Sequence, residues 1–130
     1  MSEHSNIEIV RKGFEAFANG DMATLTDLFA EDAVWHFPGN NRISGEHRGR
    51  DMVLTFLVQT GELTGGTFRA ELQDVLGNDE LVVAIQGTTA SREGKELNML
   101  QATTFQVRNG KITEVRSFLE DQQANDEFWS

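Results

Sequence analysis

The hydrophobic period of this chain changes for the rest of its length around Gly66, and that change limits the possible folds more than any single residue does. Before it, apart from one short run at 33–37, apolar residues recur at three- and four-residue steps; after it, they fall in alternating runs broken by turn signals. Ile7, Val10, Phe14 and Phe17, with Glu8, Arg11, Lys12 and Glu15 between them, predict an amphipathic helix over 6–19 that stops at Asn19-Gly20. Asp21 is placed to cap a second, shorter helix whose inward face is Met22, Leu25, Leu28 and Phe29. Met52, Val53, Phe56 and Leu57 space a third over 51–59. Between the second and third, 33–37 is a short strand closed by Pro38-Gly39, and 40–49 is a polar, glycine-bearing connection. Beyond Gly66, runs at 67–76, 81–90, 97–107 and 112–119 are separated by Gly77-Asn78-Asp79, Glu93-Gly94-Lys95 and Asn109-Gly110, which read as hairpin junctions. Helices and one early strand followed by a four-strand meander make an α+β fold, with a mostly antiparallel sheet covered on one face by helices.

A chain of 130 residues can build one core but not two, so residues 1–130 are expected to form a single domain. Eleven basic against 21 acidic residues leave a net charge of -10, which repels phosphate backbones and anionic headgroups; neither nucleic acid nor a membrane is an expected partner. The segment 1–6 has no basic stretch leading into an apolar run, and no apolar stretch has membrane-spanning length, so a cytoplasmic protein is expected. The absence of cysteine removes thiol nucleophiles and disulfides, and the absence of tyrosine removes every mechanism that needs a phenol.

Residues two apart on a strand share a face. In 97–107 the odd positions Leu97, Met99, Gln101, Thr103 and Phe105 form an apolar wall with two uncharged polar groups. In the last strand Thr113, Val115, Ser117, Leu119 and Asp121 form the drier side, opposite Glu114, Arg116 and Glu120, which stand beside Ile112 and Phe118. Such a mixture suits a small-molecule cavity and equally a core in which Thr and Gln are satisfied. His36 is a candidate proton shuttle and ligand contact, because imidazole is the side chain whose ordinary pKa lies closest to neutrality; if Trp35 and Phe37 face inward as walls, it faces outward unless the Pro38 turn twists the strand. His47, beside Arg48 in the glycine-bounded connection, is a candidate for a pocket mouth. Ten residues separate the two histidines, a spacing that matches no common ligand pattern, so no metal is expected; no phosphate loop or dinucleotide fingerprint occurs, so no cofactor is expected either.

The run from Phe17-Ala18-Asn19-Gly20-Asp21 through Leu28-Phe29-Ala30-Glu31-Asp32-Ala33-Val34-Trp35, then Pro38-Gly39 and Gly45-Glu46-His47-Arg48-Gly49, resembles the SnoaL-like branch of the NTF2-like superfamily. Asn109-Gly110-Lys111-Ile112, Asp121 and the aromatic pair Phe128-Trp129 fit the same resemblance, which covers nearly the whole chain. It implies a cone: a strongly curved sheet wrapped around three helices of the N-terminal half, a deep pocket at one end, and commonly a homodimer joined through the outer face of the sheet. The two-sided apolar pattern of Leu81, Val83 and Ile85 against Val82 and Ala84 suits a strand covered on both faces, so a homodimer is expected.

The scaffold hosts several chemistries, and the residues discriminate among them. The steroid isomerases of the superfamily place a base Asp before the proline that ends the first strand, with a Tyr and a protonated Asp as oxyanion donors. Here Phe37 precedes Pro38, Thr103 lies near the place of the donor Asp, and tyrosine is absent. The epoxide hydrolases need an Asp-Arg-Asp set with Tyr and Asn, and Arg116 has the wrong parity for it. The resemblance to SnoaL-type cyclases implies one acid/base Asp near the end of the last strand, a place Asp121 occupies; otherwise Asp121 belongs to a solvated acidic tail with Glu120, Asp126 and Glu127. Three readings follow. One is an isomerase- or cyclase-type enzyme acting on a small hydrophobic carbonyl ligand, with Asp121 catalytic, Trp35, Phe37, Met99 and Leu119 as walls, and Gln101, Thr103 and Ser117 orienting the ligand. The second is a binding module that uses the same pocket without chemistry. The third is an interaction subunit that engages another chain through its sheet.

Overall fold

The computed structural model describes residues 2–130, with side chains from residue 5 onward. Helices α1 (Ser2–Asn19) and α2 (Met22–Leu28) lead into strand β1 (Phe29–Phe37), then β2 (Gly45–Arg48) and α3 (Arg50–Glu62). The meander β3 (Arg69–Gly77), β4 (Leu81–Arg92), β5 (Lys95–Arg108) and β6 (Lys111–Leu119) follows, and α4 (Gln122–Trp129) closes the chain's last turn of structure. The sheet runs in the order β2-β1-β6-β5-β4-β3. Every neighbouring pair is antiparallel except β1 with β6, which is parallel and sets Trp35 beside Val115. The α+β architecture with a curved, unclosed sheet is as the sequence implies.

The local causes are those the residues suggest. Asp21 caps α2, accepting from the Thr24 amide at 3.1 Å and the Thr24 hydroxyl at 2.6 Å; the hydroxyl bond, then the amide bond, holds its carboxyl below the usual range. The β4–β5 and β5–β6 hairpins turn on Glu93-Gly94 and Asn109-Gly110, all four at positive φ, which is the geometry that two-residue hairpin loops require. Register shifts between Leu72 and Asp74, and between Gln106 and Val107, bend the sheet over the helices. The second also moves Ile112 to the buried side of β6, where strict alternation places Thr113.

Two elements differ from the sequence reading. The polar stretch over 40–49 contains β2, a short edge strand paired with β1 from Val34↔Arg48 to Phe37↔Gly45. The acidic tail is a helix, α4, with Asp121 as its N-cap and Asn125, Phe128 and Trp129 buried beneath it. Both ends of α4 are held. Asp126 accepts from Asn41 Nδ2 at 2.7 Å, the Asn40 amide at 3.0 Å and Gln122 Nε2 at 3.2 Å, and the Asn41 bond above all keeps its carboxyl below the ordinary range. At the other end the buried Arg92 donates to the Phe128 and Ser130 carbonyls at 3.0 and 2.9 Å, and Lys95 Nζ donates to the Glu127 carbonyl at 3.0 Å; cations suit a helix C-terminus. No described helix is long and apolar enough to cross a membrane.

Gly39 is where the β1–β2 connection touches α4. Its φ is +104°, and a Cβ there would overlap Asp126 Oδ1 and Gln122 Nε2. Gly39→Ala is therefore expected to cost about 1–3 kcal/mol, combining backbone strain with displacement of the helix contact. A urea titration checks it through a lowered midpoint at unchanged slope.

Candidate functional site

The concave face of the sheet, the three N-terminal helices and α4 enclose a cavity in which the volume open to water-molecule centres is about 80 Å³. Its walls take seven of the nine phenylalanines and both tryptophans, so aromatic residues are concentrated here rather than spread through the core. Trp35 is the hub: its ring lies 5.4 Å from Phe56, 6.1 Å from Phe105 in an edge-on arrangement, and 6.3 Å from Phe29. Edge-on and tilted pairs of this kind each add about 0.5–1.5 kcal/mol beyond their area burial.

Six polar side chains are set into this wall: Thr60, Gln86, Thr88, Gln101, Ser117 and Asn125. Thr60 is spent on its own helix, donating to the Leu57 carbonyl at 2.6 Å. Ser117 Oγ accepts from Trp35 Nε1 at 3.0 Å, which fixes the indole plane. Gln86, Thr88 and Gln101 belong to a closed ring with Thr103, because β4 presents its even positions inward, β5 presents its odd ones, and Gln86 lies opposite Gln101. In this ring Gln86 Nε2 donates to Thr88 Oγ1 at 3.2 Å, Thr88 to Gln101 Oε1 at 3.4 Å, Gln101 Nε2 to Thr103 Oγ1 at 3.2 Å, and Thr103 to Gln86 Oε1 at 3.0 Å. Each hydroxyl gives one bond and takes one, and each amide keeps a second N–H and a second lone pair.

Asn125 has no such closure. It is only 2 % exposed, its Oδ1 accepts from Trp129 Nε1 at 3.1 Å, and its Nδ2 has no partner.

The residues singled out in the sequence divide into distinct groups. Trp35, Phe37, Gln101 and Ser117 line the cavity. Met99 and Thr103 are buried on the same face but behind the lining, Thr103 acting through the ring. His36 and Leu119 line a groove outside the cavity, at the end of the sheet; Phe37 and Ser117 line both spaces.

His36 faces outward, as the alternation implies, with Nε2 2.6 Å from Glu114 and Nδ1 3.7 Å from Glu46. The bond to His36 is the main cause holding the Glu114 carboxyl below its ordinary range, with the Arg116 charge adding to it. His47 pairs with Trp35 in the β1–β2 register and so lies on the opposite face from His36. It stacks on Phe56 at 4.4 Å, and its Nε2 donates to the Ile43 carbonyl at 2.8 Å, one layer behind the cavity wall.

Asp121 lies apart from the cavity. It is exposed and accepts from the Ala124 amide at 3.0 Å as the cap of α4. An Asp following a strand serves equally as a solvated carboxylate or a helix cap, and the cap is the use found here. Sequence reasoning missed Gln86, Thr88 and Asn125. For Asn125 the available signal was Asp121 three residues before the Ala124 amide, with Asn125 and Trp129 a helical turn apart.

Residues 10–115 match the family of SnoaL-like domains. The whole chain aligns at 38% identity over 131 residues with an uncharacterised protein of Mycobacterium tuberculosis, covering 100% of both. Among solved structures, Bal32a, from a soil-derived mobile gene cassette, superposes with a TM-score of 0.97 at 43% identity, covering 100% of each chain. An NTF2-like protein from Burkholderia xenovorans shares the fold, with a TM-score of 0.86 at 24% identity over 100% of this chain and 99% of its own.

The Gln-Thr ring gives a direct measurement. Thr103→Val keeps the shape but leaves Gln86 Oε1 and Gln101 Nε2 short of a partner, an expected loss of about 1–3 kcal/mol. Equilibrium denaturation of the parent and Thr103→Val proteins reads that difference.

Proposed function

Since this chain belongs to the SnoaL-like family, we propose that it uses the family's pocket to bind a small, neutral, hydrophobic molecule without transforming it. One observation carries this reading: none of the 22 residues lining the cavity has an ionisable side chain. Moving a proton to or from carbon needs a group able to hold it within hydrogen-bond reach. Asp121 is committed to α4, His36 lies on the far side of the sheet, and the Phe56 ring stands between His47 and the cavity. Ser117 has no base beside it within the lining, and the indole N–H it accepts from opposes the build-up of alkoxide nucleophilicity by tying up a lone pair. The aromatic wall supplies affinity by burying apolar surface, at roughly 25 cal/mol per Å² removed from water.

The same reading includes a second copy of the chain on the outer face of the sheet. Phe118 is 54 % exposed, Leu100 46 % and Leu81 42 %, all directed away from the cavity on the adjacent strands β6, β5 and β4. Phe118 and Leu100 lie close together, where Ala102 pairs with Phe118, and Leu81, opposite Gln106, lies toward the other end of the same face; large apolar side chains left exposed on a sheet face are the kind of surface that association covers.

Three experiments test these statements. Toluene, followed by ligand-observed NMR, is expected to bind with an affinity constant to within about twofold between pH 5 and pH 9, since no lining group titrates. Acetophenone incubated with the protein is expected to be recovered unchanged; a bell-shaped pH profile or a converted product restores the acid/base enzyme. Light scattering of the parent is expected to give the mass of two chains and that of Phe118→Glu the mass of one; a parent that stays monomeric at tens of micromolar removes the dimer.

A further inference from the structure

We propose that the side-chain amide of Asn125 is the anchor for an acceptor oxygen on the ligand, which narrows the ligand class to neutral ring compounds bearing a carbonyl or ether oxygen. This rests on the binding reading above. Asn125 Nδ2 is the one buried side-chain nitrogen or oxygen among the described residues without a hydrogen-bond partner, and Asn125 is part of the cavity wall. The orientation of its amide is set by chemistry: an indole N–H only donates, so the group facing Trp129 Nε1 must be Oδ1, and the two N–H bonds are left for whatever fills the cavity.

The helix beneath the amide fixes its position. The Asn125 backbone N–H bonds to the Asp121 carbonyl at 3.1 Å within α4, and that helix is pinned by Asp126 at one side and by Arg92 and Lys95 at its end. The donor is therefore both unsatisfied and preorganised, the combination in which a complementary acceptor gains most.

The rest of the wall sets the ligand's charge and shape. No Lys, Arg or His lines the cavity to neutralise a carboxylate, and no Asp or Glu lines it to hold an ammonium, so a charged ligand would lose its hydration without compensation. The ring-dense wall around Trp35 favours a flat, unsaturated body.

Acetophenone and α-methylstyrene have nearly the same shape and differ in whether the branch ends in an acceptor oxygen or a methylene. Titrated against the unaltered protein by calorimetry, acetophenone is expected to bind about tenfold tighter. Asn125→Leu has a similar volume and no donor to give; its preference is expected to fall to about onefold. In the unaltered protein, proton–nitrogen NMR is expected to move the Asn125 side-chain amide protons downfield with acetophenone and to leave them in place with α-methylstyrene, a readout independent of whether the variant folds. Equal affinity for both compounds, or an amide that does not move, overturns the anchor while leaving the pocket reading intact. Failure of both compounds to bind the unaltered protein overturns the pocket reading and the anchor together.

Discussion

The pairing of β1 with β6 holds this molecule together, and at its centre is the bond from the Trp35 indole to Ser117 Oγ across 82 residues of chain. The helical half and the meander meet where α1 lies against β3 and β4, and within the sheet that parallel pair joins them. With it, Trp35 is placed against Phe56 from α3 and Phe105 from β5, so one side chain joins the helix layer to the sheet. The cavity follows from the same constraint: the bent sheet cannot lie flat on its helices, and large rings span the remaining gap while leaving a space among them.

Function on this scaffold depends on where titratable groups are allowed. A net charge of -10 is carried by the surface, while the cavity wall is uncharged. The polar groups inside are amides and hydroxyls that mostly satisfy one another, so the interior offers hydrogen bonds without offering proton chemistry. The His36, Glu114 and Glu46 cluster shows that the chain does assemble coupled ionisable groups, but on the opposite face of β1 from the pocket.

Much of this was legible in the sequence because alternation is a strong signal wherever a strand has one wet and one dry side. The inward placement of Trp35, Phe37, Gln101 and Ser117 and the outward placement of His36 follow from parity alone. Ile112 breaks parity because the shift at Gln106 and Val107 inserts an extra residue, which no pattern of hydrophobicity announces. β2 was obscured because an edge strand of four residues, Gly45–Arg48, carries no apolar alternation. α4 reads as a tail because its sequence is dominated by polar and acidic residues, and only its tertiary contacts make it a wall, with Asp121 as its cap and Asn125 buried beneath it.

The distance along the chain between Trp35 and its partner also has a consequence in time. Synthesis at about 5–20 residues per second leaves roughly 4–16 s between the emergence of Trp35 and that of Ser117. For that interval Phe29, Trp35 and Phe37 sit on a strand whose inner neighbour does not yet exist, and β2 can protect only its other edge. The nascent chain must therefore keep its most adhesive segment unpaired until the meander has been made, which puts the greatest risk of aggregation before the sheet is complete.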